Sequence, residues 1–179
     1  SSDVCSSDLV FAAFSAWTDR WSAAAPKDRG ALAAEGAELA AARRAELKEM
    51  IQKDPRAAIA AAVPLAVRAQ LPDAITALLE RRISGEGDLA QLGVLGAPGG
   101  QVAEPVFKSA MVGGEEFRAF TYGRREAQAT KVGISVLGVA LDGLLAVSES
   151  PMRVLEPGET PAAGQPVVAV CPVSGERTP

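Results

Sequence analysis

The sequence predicts an α+β protein: an Ala-rich helical bundle over residues 10–84, followed by a small antiparallel β-sheet or partly closed barrel over 85–156. Three observations carry this expectation. Apolar residues recur every three to four positions in the first part. After Gly87 the period changes to alternation, in runs of strand length. Gly113-Gly114 and Asp142-Gly143 then supply the positive-φ residues that two-residue hairpin turns need. A chain of 179 residues is long enough for this arrangement and needs no disulfide to fold.

Residues 1–9, SSDVCSSDL, repeat SSD without apolar support and resemble a translated sequencing adapter, so they are expected to be an artefactual tail outside the fold. Without them the chain carries 20 acids against 18 bases, a net charge of −2 in place of −4, and Cys171 is its one cysteine. VFAAFSAWTDRW (10–21) sets Phe11, Phe14, Trp17 or Thr18, and Trp21 on one helical face, the pattern of a core-packing stripe. Asp28 stands where an N-cap belongs. From there to Asp54 a single helix is expected, ~25 residues and roughly 38 Å long. Leu32, Leu39, Leu47, Met50 and Ile51 run along it, and Glu35, Glu38, Arg43, Arg44 and Lys48 form its solvated arc. Gly36 weakens its middle by about 1 kcal/mol relative to Ala and marks a kink or a close helix contact.

Asp54 followed by Pro55 reads as a cap and a first helical position. Pro64 and Pro72 open two further short helical pieces, the second carrying Arg81 and Arg82 near its end, where cations suit the helix dipole. Gly85 and Gly87 are expected to stop the helices. DLAQLGVL, PVFKSAMV, EEFRAFTYG, ISVLGVAL, GLLAVS and MRVLE then have strand length. The hairpin registers place Phe107 opposite Phe120 as a core contact, and pair Leu141 with Leu144 and Val139 with Ala146. EPGETPAAGQP gives a linker over 157–166, and residues 167–179 read as the start of a truncated next module.

The chemistry is bounded chiefly by what the chain lacks. It contains no histidine, which removes Ser-His-Asp and Cys-His catalysis and HExxH zinc sites. One native cysteine and no histidine cannot supply a four-ligand zinc site, and GAPGGQ at 96–101 lacks the lysine of a phosphate loop. Glu115, Glu116 and Asp142 are the remaining acid-base candidates, and nothing places two of them in one apolar cleft. The expectation is no enzyme, no cofactor and no metal. A pI near 5 argues against nucleic acid as a partner, and no internal run is apolar for the ~20 residues a membrane span needs.

Two features invite sharper readings. Arg124 and Arg125 in YGRRE either grip a carboxylate on a partner or close a hairpin in solvent. Cys171 has three readings: a disulfide to a missing downstream segment, a reduced thiol in a new core strand, or a thiolate that blocks the zinc of a downstream peptidase.

The succession FSAW, AAEGAELAAARRAELKEMIQKDPRAAI, AVPLAVRAQLP, ALLERRISGEGDL, FRAFTYGRR, GVALDGLLAVSESPMRVLEPGE and CPVSG resembles an uncharacterised amino-terminal region of very large secreted bacterial proteins. Some of those carry a metzincin-like peptidase or adhesive β-repeats further along. The resemblance implies a secreted or envelope setting, with downstream domains of the same polypeptide as partners. It also implies a non-catalytic, propeptide-like module that assists or shields a downstream peptidase. The alternative is an envelope adhesion or scaffolding module that binds a protein or glycan.

Overall fold

The computed structural model describes residues 6–92 and 107–156, together with the short strands 169–170 and 177–178. Its class is α+β, with helices first and a barrel after them. Helix α1 (Ser6–Ala23) packs against α2 (Arg29–Lys53), and three short helices follow: α3 (Pro55–Ala60), α4 (Leu65–Arg68) and α5 (Asp73–Thr76). Residues 6–9, expected to stand outside the fold, form the first turn of α1.

The aromatic stripe of α1 does what its spacing predicts. Phe14, Trp17 and Trp21 are buried with Ala40, Val63, Leu71, Ile75 and Leu79, and both indoles find acceptors, Trp17 in Leu32 O at 3.0 Å and Trp21 in Gln70 O at 2.9 Å. Gly36 is the close helix contact: a Cβ there would lie 2.1 Å from the Trp17 ring. Asp54 caps α3 through the Ala57 amide at 2.9 Å, with Pro55 at the first helical position. Asp28 holds the N-cap position of α2 but makes no side-chain capping bond.

The line that α2 buries agrees with the predicted one at Leu47 and Ile51 but continues through Arg43, Ala40 and Gly36, while Leu32, Leu39 and Met50 are only half-buried. Arg43 therefore leaves the solvated arc where the sequence had placed it.

Strand β1 (Arg81–Leu92) begins inside the segment expected to be helical, and Gly85 and Gly87 lie within it. These glycines do not stop a helix. A Cβ on Gly87 would meet Met111 O at 2.3 Å, and the register against the partner strand shifts between Gly87 and Leu89. Glycine in a strand marks such close approaches and bulges, and this one lets β1 turn from one neighbour to the other. Strands β2 (Phe107–Val112), β3 (Glu115–Phe120), β4 (Lys131–Leu141) and β5 (Leu144–Val147) complete the set.

The five strands close in the order β1-β2-β3-β5-β4, with β4 returning to β1. The antiparallel expectation fails at one seam, because β3 and β5 pair parallel. A long first strand shared by two neighbours, closing five strands into a Greek-key barrel, is the topology of OB-folds. Both predicted hairpins form, with positive φ at Gly113, Gly114, Asp142 and Gly143, and Leu141 pairs with Leu144 and Val139 with Ala146. MRVLE is not a strand: closure leaves no barrel edge for it to join.

Leu89, Ala110, Phe117, Ala119, Val136, Ala140, Leu145 and Val147 fill the barrel. A third cluster joins it to the helices: Leu47, Ile51 and Ala58 pack on Leu141 and Ala146 from the outside of β4 and β5, with Phe11 and Phe120 at its margin. Around this seam Arg44 pairs with Asp142, and Arg43 and Glu80 form a buried ion pair, each 2% exposed. The short strands Ala169–Val170 and Arg177–Thr178 pair antiparallel.

Candidate functional site

The helices cover the outside of the barrel at β4, β5 and the near edge of β3. Among the described residues nothing packs on the outer face of β1, β2 and the rest of β3. The ladders set three rows across it: Asp88, Met111 and Glu116; Ala90, Ser109 and Arg118; and, by one further step of the β2–β3 register, Leu92, Phe107 and Phe120. Leu92, Phe107 and Met111 are 41%, 38% and 42% exposed. The predicted Phe107–Phe120 pairing thus holds in register, but the pair lies outside the barrel and not in its core. Phe117 and Ala119 hold the inward parity of β3, and alternation sends Phe120 and Arg118 outward.

Arg118 extends over both rings, its guanidinium carbon 5.9 Å from the Phe107 centroid and 5.7 Å from that of Phe120. Two cation–π contacts therefore hold the group near both rings. Among the described residues no carboxylate, carbonyl or hydroxyl accepts a hydrogen bond from its side chain. The residue is exposed, and its guanidinium donors suit bidentate binding of a carboxylate.

The two arginines singled out in the sequence fall elsewhere, in a 3₁₀ turn at Gly123–Arg125. Arg125 is 5% exposed, so it does not end a hairpin in solvent, and its donors are engaged within the chain. It donates to Ser148 O at 3.0 Å and Ser135 O at 2.8 Å, clamping the turn onto β4 and the end of β5. Burial lowers its pKa from the ordinary arginine value. Arg124 is exposed and lines a shallow pocket of about 290 Å³ with Arg125, Gln128, Ile134, Ser135, Glu149 and Pro151. Lys108 closes the barrel beside this turn, donating to Thr121 Oγ1 at 3.2 Å, Glu126 O at 2.7 Å and Arg125 O. Burial pushes its ammonium below the ordinary lysine pKa, against a smaller opposing effect of Glu126.

Glu115 pairs with Arg81 at 2.5 Å and Asp142 with Arg44 and Lys48, so two of the three acid-base candidates are engaged in ion pairs. Among the described residues no three metal-ligating side chains gather, and no helix is long and apolar enough to cross a membrane. Cys171 and the GAPGGQ segment lie outside the described residues.

Fold and face together define a Greek-key barrel braced by a helical hub, with one open, partly apolar side. The chain matches no family model, no curated protein and no solved structure.

Proposed function

We propose that this chain is a non-catalytic binding module of a larger polypeptide, and that the open face of β1–β2–β3 is its contact surface. The observation that carries the reading is the apolar group Leu92, Phe107 and Met111, left exposed beside the half-buried Phe120 on a barrel whose other side is packed. Clustered exposed apolar side chains mark interaction sites more often than singly scattered ones do. Face chemistry also favours protein over nucleic acid. Arg118 is the one cation in the three rows, beside Asp88 and Glu116, whereas backbone phosphates call for several.

In the secreted or envelope setting implied by the sequence resemblance, the partner is a downstream domain of the same polypeptide, and the module acts as a propeptide does, assisting or shielding that domain. The test is the parent polypeptide with Leu92→Ser and Phe107→Ser together. Loss of correct maturation, with the variant module still folded by circular dichroism, is the expected result. Normal maturation of that variant, or of a parent lacking residues 10–156, would rule the reading out.

A further inference from the structure

We infer that Arg118 is a carboxylate receptor, and that the segment docking on this face presents an Asp or Glu with apolar side chains two residues to either side of it. The inference rests on the contact surface proposed above and adds the chemistry of what it binds. Three observations support it. The guanidinium is held over Phe107 and Phe120, so part of the rotamer entropy normally lost on binding is already spent. No described acceptor takes its in-plane donors, whereas Arg20, Arg43, Arg44, Arg81 and Arg82 each face a carboxylate. Apolar side chains lie on two sides of it, Phe107 and Phe120 in one row with Leu92 beyond them and Met111 in the other, where Glu116 is its neighbour on β3.

A carboxylate meeting the guanidinium edge-on leaves both phenyl contacts intact. Apolar side chains two residues to either side of it in an extended segment share its face and then fall toward Leu92 and Met111. The surface is also continuous with an existing interface, since Phe120 packs at the edge of the helix–barrel seam. A ligand seated here therefore extends a packed surface already present.

The experiment uses the isotope-labelled 179-residue chain and two blocked peptides. One has the sequence acetyl-Leu-Ser-Asp-Ser-Leu-amide, with both leucines on the face of the acid, and the other replaces its Asp by Asn. Expected are saturable NMR shifts confined to residues 88–92, 107–112, 115–120 and the Arg118 side chain, with the amide peptide about tenfold weaker or worse, as loss of a charge-assisted bidentate pair requires. Arg118→Gln should abolish the preference for the acidic peptide, and Arg118→Lys should recover only part of it; the side chain is exposed, so both variants should keep the native spectrum elsewhere.

Equal binding of the two peptides at this face would overturn the carboxylate receptor and leave the contact surface standing. Shifts that cluster away from Arg118, or no shifts from either peptide, would overturn the receptor, the surface then being judged by the maturation assay. Preferential binding of a neutral oligosaccharide or a short oligonucleotide at the same resonances would overturn it as well.

Discussion

Arg43 donates to Glu80 through both terminal nitrogens, at 2.5 and 3.1 Å, and to Ala61 O at 2.7 Å, while Glu80 also accepts the Val63 amide at 2.6 Å. Phe11 and Phe14 flank the guanidinium. A buried pair satisfied on this scale costs little net energy when intact and much when halved. Arg43→Met or Glu80→Leu alone should destabilise by about 3–5 kcal/mol in urea unfolding, and the double variant by clearly less than the sum. Lys108 makes a different prediction. Its folded pKa lies below the unfolded value of 10.5, so between the two the unfolded chain binds more protons and stability rises with pH. Lys108→Met should remove that alkaline rise, which pH-dependent denaturation measures. Neither role is legible in the sequence. Arg43 sits in an Arg-Arg pair on an amphipathic helix, and only the packing of α1, α3 and the start of β1 around α2 determines which of the two is buried.

At the scale of single elements, α2 and β1 show where pattern reading works and where it stops. The extent of α2 is plain from its caps and period, but its buried stripe is not, since Trp17 needs an absent side chain at Gly36 and Arg43 brings its own counter-ion. Helix propensity alone predicts that Gly36→Ala stabilises by about 1 kcal/mol. Contact with the indole predicts the opposite sign, a loss of about 1–3 kcal/mol from overpacking, and thermal unfolding distinguishes them. In β1 the stretch RRISGE carries one apolar side chain in six residues, so no alternation announces the strand. The hairpins were legible because their turn residues act locally. The open face was half legible: Ser109, Glu116 and Arg118 share the parity of Phe107 and Phe120, and that polar company marks a solvent side.

For the whole molecule, the seam cluster makes helices and barrel one cooperative body. Leu47 and Ile51 come from α2, Leu141 and Ala146 from β4 and β5, all buried. Leu47→Ala should therefore cost about 2–5 kcal/mol, and the loss should register equally in both halves. Trp17 and Trp21 report the helical core only, and hydrogen exchange along β1 and β4 reports the barrel only. Coincident transitions in the two signals, before and after the substitution, are expected; separated midpoints would show that the halves unfold independently. The sequence announces two subdomains by their change of period, but not this coupling, because residues from positions 11 to 146 must meet to create it.

Glu156 lies nine residues past the end of β5, yet its carboxylate reaches Arg82 in β1 at 2.5 Å and the Leu65 amide at 2.7 Å. Tension applied to the chain beyond this point therefore loads Arg82 and the helical hub before it can peel the four-residue strand β5. That load enters β1, the strand held on both sides by β2 and β4. Glu156 thus anchors the outgoing chain to the longest strand of the barrel and relieves β5, the shortest of the five.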